Sequence, residues 1–371
     1  ASSEIAGLTA TAGGGITLNG NIKLSHAPIS TGVKFNSPVI IGDDTSVTII
    51  TDSGGTDGVV TFGSSISGVG NTVAKLATNE NLTIDSGSGE LTITGNIGAT
   101  AATALNDLKI NAEDGSGETA AITISGDIGT NTTAGLRGDL DIGNANTATL
   151  DLEGSFYNTT KTQDYTAVNT GTNIAIKGSS AKFITANKDI RFKTSGVSLA
   201  NDGTTTIDTG STGGGNVSFA ATNSTGISIE ANDATSFDDL LVITSGTGDV
   251  SFAGTIGATN ALGGLTINSS AGDGDITFTS TIGDSSNPGI VGTTSIGGTS
   301  TENIHFDAAI YSFDGGATTI TATTDSNGSG DDENIEVAVT TEFIAAGEAI
   351  KFVGGKIDLA DNANLTITSG N

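Results

Sequence analysis

Apolar residues in this chain stand two apart in short triplets, with a polar or small residue between them and Gly, Asp, Asn or Ser on either side. That alternation puts the first and third members of a triplet on one face of a strand and the middle one on the other. The pattern is clearest from Leu241 to Gly283, where Leu241-Val242-Ile243 returns as Leu265-Thr266-Ile267 and Val250-Ser251-Phe252 returns as Ile276-Thr277-Phe278, at offsets of 24 and 26 residues. A three-residue strand cannot fold alone. Stacking one coil on the next pairs its backbone groups at a spacing of about 4.8 Å and buries a continuous file of Leu, Ile, Val and Phe. The pattern therefore predicts an all-β fold, a parallel β-helix or β-solenoid, with coils of about 25 residues and about 15 turns.

The triplets run through the chain: Ile16-Thr17-Leu18, Val47-Thr48-Ile49, Leu82-Thr83-Ile84 and Leu91-Thr92-Ile93 early on, Ile304-His305-Phe306 and Leu365-Thr366-Ile367 late. A corner phrase, Ile-Gly followed by Leu-x-x-Leu-x-Ile, occurs at 97–110, 128–142 and 256–267. It predicts that Leu105, Leu136 and Leu262 point inward, and that Gly98, Gly129 and Gly257 turn tightly, because glycine takes positive φ without steric cost. Between 153 and 193 the rhythm breaks around Phe156, Tyr157 and Tyr165, which predicts an irregular inserted loop or a wider coil. Otherwise one elongated β-solenoid domain is expected over 1–371, as a whole subunit, a fragment or one unit of a longer repeat array.

Composition supports strands over a globular enzyme core: 55 Gly, 3 Pro, 3 Tyr and no Trp among 371 residues. The 35% hydrophobic content, set in regular triplets, argues against disorder. A formal net charge of −28 speaks against nucleic acid, whose phosphates demand Lys and Arg. No apolar run approaches the roughly 20 residues of a membrane-spanning helix. The absence of Cys excludes disulfides and thiolate chemistry and is compatible with export.

The phrases VKFNSPVIIGDDTSVTI, GVVTFGSSISG, GELTITGNIG and GDVSFAGTIGATNALGGLTI resemble the bacterial β-strand-repeat surface proteins, among them large repeat adhesins and filamentous-haemagglutinin-like β-solenoid passengers. The resemblance implies secretion, display at the cell surface, and adhesion or structural scaffolding. It brings no catalytic residues.

Candidate chemistry is sparse. Asp238-Asp239, Asp273 with Asp275, and Asp331-Asp332-Glu333 offer carboxylates, but glycoside hydrolysis needs two at a defined separation across a sugar, and turn acids are the simpler reading. The two histidines, His26 and His305, form no recognisable catalytic or metal motif, and His305 falls in the outward slot of a strand. No catalysis is expected. Asp325, Asn327, Asp331, Asp332 and Glu333 gather hard oxygen ligands around glycines, so Ca²⁺ is the one cofactor the residues suggest. Arg137-Gly138-Asp139 is an attachment-like string that a Gly-Asp corner explains as well. Asn158 and Asn268 are among the residues heading Asn-x-Ser/Thr triplets, which chance alone produces in so polar a chain.

Two surfaces suggest partners. Tyr157 and Tyr165, with Lys182, Lys188, Arg191 and Lys193 in the main cationic stretch, would suit a polysaccharide: rings to stack on sugars, cations to hold uronic acids. Leu8 near the start and Leu365 and Ile367 near the end are strand-like without a visible cap, so identical subunits would meet end to end in a filament or surface layer. The expectation is thus a secreted, extracellular or cell-surface structural or adhesive protein that self-assembles and contacts glycans or host surfaces. A polysaccharide-binding or polysaccharide-degrading β-helix protein is the alternative.

Overall fold

The computed structural model describes residues 7–24, 32–51, 57–69, 79–111, 120–200, 202–211, 213–220, 224–233, 235, 237–268, 274–323 and 334–370. Over these residues the chain is all-β, without a helix, and winds as a parallel β-solenoid of about 11 turns. It divides into two compact units, Ala1–Val168 and Asn169–Asn371.

In the first unit each coil lays strands on three sides. One side stacks Leu8–Ala10, Val33–Phe35, Val60–Phe62, Leu91–Ile93, Ala121–Ile124 and Thr149–Leu152. A second stacks Ile22–Lys23, Ser46–Ile50, Asn81–Asp85, Leu108–Ile110, Leu140–Ile142 and Gln163–Thr166. The third begins as Ile16–Leu18, Val39–Ile41 and Ile66–Gly68 and continues as single bridges through Ile97, Ile128 and Tyr157. Every pair is parallel and in register, as Leu82 with Leu108 and Leu140 show. Beyond the first coil the inward residues of the triplets are buried, each contributing about 1.5–3 kcal/mol, and the middle residue faces out.

The second unit repeats the plan. Ile190–Lys193, Val217–Phe219, Val250–Phe252, Ile276–Phe278, Ile304–Phe306, Asn334–Val337 and Lys356–Leu359 form one side, and Ile174–Ile176, Val197–Leu199, Ile227–Ala231 and Thr255–Ile256 another. The third runs from Lys182–Ile184 through Thr204–Asp208, Leu240–Thr244, Gly264–Ile267 and Ile290–Ile296 to Ile310–Ala322. That last strand is long enough to receive both Thr341–Ala346 and Ile350–Gly354 along its length, and Leu365–Ser369 pairs with the former. The predicted internal repeat is the actual register: Leu241 faces Leu265, Ile243 faces Ile267, Val250 faces Ile276 and Phe252 faces Phe278. Inside this unit Phe192, Phe219, Phe252, Phe278 and Phe306 stack face to face, with centroids 5.0, 4.9, 5.4 and 5.3 Å apart.

The corner predictions hold. Leu105, Leu136 and Leu262 are buried, and Gly98, Gly129 and Gly257 have φ of 58°, 75° and 63°. Coil length does not hold at about 25 residues. Leu91 faces Ile122, 31 positions on, and Thr204 faces Leu240, 36 positions on. The pairing stays parallel across these longer steps, and the solenoid makes about 11 turns against the expected 15 or so.

The segment 153–193 is also corrected. Gln163–Thr166 pairs with Leu140–Ile142 at an offset of only 23 residues, so this coil is narrow, and strands continue at Ile174–Ile176, Lys182–Ile184 and Ile190–Lys193. The rhythm looked broken because Gln163 stands in the slot of Leu140 and Tyr165 in that of Ile142. Both polar groups are satisfied inside: the Tyr165 hydroxyl donates to Gln163 Oε1 at 2.9 Å, and Gln163 Nε2 donates to the Tyr157 carbonyl at 2.8 Å.

Candidate functional site

The Gly-Asp phrase that precedes so many strands is a structural device. The side-chain oxygen of Asp189 accepts the N–H of Asn216, Asn216 accepts that of Asp249, Asp249 that of Asp275, and Asp275 that of Asn303, at 2.9–3.1 Å. The first unit has its own ladder, from Asn81 to Asp107 to Asp139 to Thr162. Each corner residue thus caps a donor one coil further on, a donor that the strand ladder does not reach. The glycine beside it is required by proximity. A Cβ on Gly248 would lie 2.2 Å from the Gly215 carbonyl oxygen, and one on Gly274 would lie 2.1 Å from that of Gly248.

Arg137-Gly138-Asp139 is absorbed in the same way. Asp139 is a member of the ladder, while Arg137 Nη2 donates to Glu80 Oε2 and to the Ala104 carbonyl, both at 2.9 Å, with Glu80 buried. The arginine is thereby tied to the solenoid wall.

Tyr157 and Tyr165 are not surface rings. Both are 0% exposed, they meet edge to face at 6.3 Å, and burial pushes both hydroxyls above their ordinary pKa range. The Tyr157 hydroxyl accepts the N–H of Gly154 and donates toward the Ile124 carbonyl; Tyr311 does the same in the second unit with Ala308 and Phe278. These tyrosines close a corner from inside and cannot stack on a sugar. Lys182, Arg191 and Lys193 are half-buried on their strands, and Lys188 is exposed on the turn between. Arg191 Nη1 lies 3.9 Å from Asp189.

Asn268 and Asn158, which head Asn-x-Ser/Thr triplets, are buried. Asn268 takes φ 47° and bridges coils: its Oδ1 accepts the Ser245 N–H at 2.8 Å, and its Nδ2 donates to Ser245 Oγ at 2.8 Å. Asn111, φ 48°, does the same to Ser86 in the first unit. Sequence reasoning passed over this pair; the shared signal is an Asn directly after the Leu-x-Ile triplet, as in Leu108-Lys109-Ile110-Asn111 and Leu265-Thr266-Ile267-Asn268.

His305 is in the outward slot, as predicted. Its pKa is raised, first by the Asp275 carboxylate and then by Glu336; the Glu336 contact is the shorter, 2.8 Å from Nδ1 against 3.8 Å from Nε2 to Asp275. In return Asp275 is held below its ordinary range, chiefly by His305. His26, Asp273 and the calcium candidates Asp325, Asn327, Asp331, Asp332 and Glu333 lie outside the described residues.

Among the described residues, two features stand out from this architecture. The first is the face of the last coil, where Ile357, Leu359 and Ile367 are 37%, 46% and 49% exposed. Ile335, Val337 and Phe343, which occupy the corresponding slots one coil earlier, are buried. Leu365 is half-buried on the same face, and Leu8 is half-buried in the first unit's opening strand. The second is a group of three carboxylates, Asp202, Asp238 and Asp239, each with an oxygen within 4.8 Å of the others. Burial raises the pKa of Asp239, and the charges of Asp238 and Asp202 add to that, against partial relief from the backbone N–H groups of Asn232 and Asp202.

No protein-family model matches the chain, and neither a curated protein nor a solved structure is significantly similar to it.

Proposed function

We propose that this is a secreted, extracellular structural or adhesive surface protein, without catalysis, whose solenoid is extended by a second copy adding a rung to the exposed face of the last coil. The observation that carries the reading is the contrast between equivalent slots: residues buried in every inner coil stand open at Ile357, Leu359 and Ile367. The strands there are parallel and in register with those beneath, so a further strand finds both backbone partners and apolar contacts. Leu8, Ile16 and Ile22, from the first strand of each side in the first unit, supply a matching rung of the same apolar type. A contact between two different surfaces of the same chain need not close, and so propagates into a filament or layer.

The cationic stretch at 177–193 offers lateral contacts to the acidic flanks of neighbouring copies, a contribution that salt weakens. Contacts with glycans or host surfaces belong to this reading as adhesion. The glycan-active alternative loses its aromatic platform with the burial of Tyr157 and Tyr165.

The test is sedimentation velocity with electron micrographs of the same samples, comparing the wild type with a Leu359→Asp, Ile367→Asp double variant. Concentration-dependent end-to-end assemblies in the wild type alone, with both proteins giving the same circular dichroism, are the expected result. A wild type that stays monomeric at high concentration, or a variant that assembles equally, overturns it.

A further inference from the structure

We propose that Asp202, Asp238 and Asp239 form a binding site for a divalent cation with calcium-like preferences, clamping two successive coils of the second unit. The backbone brings the three together across one coil step. Thr204 pairs with Leu240 in the strand ladder, and just outside it the Leu240 N–H donates to the Gly203 carbonyl at 2.8 Å. Asp202 is therefore carried against Asp238 and Asp239 by the register, not by side-chain choice alone.

Three features point to a ligand. One oxygen from each carboxylate lies within 4.8 Å of the others. Two ligands on opposite sides of Ca²⁺, each at about 2.4 Å, are separated by about 4.8 Å, so the cluster is small enough for all three to reach one ion. None of the three makes an ion pair among the described residues, so like charges are gathered with no cation to offset them. Independently, Asp239 is only 2% exposed: its Oδ2 accepts the Asn232 N–H at 3.2 Å, but its Oδ1 is buried with no hydrogen bond of ordinary geometry. A buried carboxylate oxygen without a well-placed donor is costly, and a metal ion is the partner that satisfies it while cancelling the repulsion around it.

The donor set selects the ion. All the side-chain ligands are hard carboxylate oxygens, which disfavours zinc and copper, with their preference for His and Cys. Asp202 and Asp238 are exposed, leaving room for the several waters that complete six to eight oxygens around Ca²⁺. Mg²⁺ demands a smaller, near-octahedral arrangement and gives up its water reluctantly. The next coil places Gly263 and Gly264 where this one has Asp239 and Leu240, so the site is not repeated along the stack.

The site is tested by isothermal titration of the full chain with Ca²⁺ and, separately, Mg²⁺, alongside thermal unfolding with and without each ion. Three variants are used: Asp202→Asn, Asp238→Asn and Asp239→Asn. The wild type should bind Ca²⁺ with a Kd of roughly 10⁻⁴–10⁻³ M, in the range of extracellular calcium modules, and Mg²⁺ more weakly. Each variant should lose about tenfold or more in affinity. Asp239→Asn should also melt higher than the wild type in the absence of ions, because it removes a buried charge from a like-charged group. Asp202→Asn and Asp238→Asn change exposed residues and keep the test decisive if Asp239→Asn fails to fold. Loss of the heat in all three variants supports the site; heats equal to wild type in Asp202→Asn and Asp238→Asn, or no heat in the wild type, overturn it.

Discussion

Truncating Phe252 to alanine should be among the most damaging single changes in the second unit. The ring is fully buried in the middle of the phenylalanine stack, 4.9 Å from Phe219 with planes 3° apart and 5.4 Å from Phe278 with planes 2° apart. Phe→Ala substitutions in well-packed cores cost about 3–5 kcal/mol through lost transfer energy and the cavity left behind. The neighbouring rings are held by strands in fixed register, Phe219 to Phe252 to Phe278, so they cannot collapse into the space, and the upper half of that range is expected. Phe252→Leu separates the two contributions: it keeps most of the apolar volume but loses two ring–ring contacts, each worth about 0.5–1.5 kcal/mol beyond area. A cost of about 1–3 kcal/mol is therefore expected for the leucine variant. Urea unfolding followed by circular dichroism gives the totals. Native-state hydrogen exchange at Val250–Phe252 and Ile276–Phe278 shows whether the loss is local to these coils, as nearest-neighbour stability in a stacked repeat requires. The reasoning is refuted if Phe252→Ala costs under about 1 kcal/mol, or if the alanine and leucine variants are equally destabilised.

Gly248→Ala should cost about 2 kcal/mol or more, an overpacking penalty, because the new methyl meets the Gly215 carbonyl at 2.2 Å and backbone has nowhere to go; alanine at half-buried Gly171, whose added methyl would have nothing within 4 Å, is the control in the same denaturation assay. His305 has a raised pKa, so its contribution to stability is fully present below the ordinary histidine value of about 6.5 and is lost as pH rises through the folded value. Asp275, with a lowered pKa, contributes above the ordinary carboxylate value and loses that contribution as pH falls through the folded one. Both partners of the histidine are partly exposed and screened by solvent, so the effect is small; NMR titration of His305 should show the upward shift, and its disappearance in an Asp275→Asn, Glu336→Gln double variant.

The sequence by itself determined the strands, their inward and outward faces and the parallel stacking, because a period of two with small polar corners has few other ways to bury its apolar residues. It even located true register partners, such as Phe252 with Phe278. Which side of the coil a triplet occupies was decided by tertiary structure. Leu82-Thr83-Ile84 and Leu91-Thr92-Ile93 read alike, yet one stacks with Leu108–Ile110 and the other with Val60–Phe62. A triplet records burial, not the direction in which the coil has turned. Tertiary structure also decided the fate of the polar residues. Gln163 and Tyr165 looked like a loop and are core, because each satisfies the other inside. Asp275 and Asp239 are both turn acids in sequence. The first spends its oxygens on the next coil's backbone and on a histidine, and the second keeps one oxygen buried without a well-placed donor beside two like charges. That difference comes from which residues the neighbouring coils bring alongside, and a stack with 22 to 36 residues per turn sets those neighbours only when it is wound.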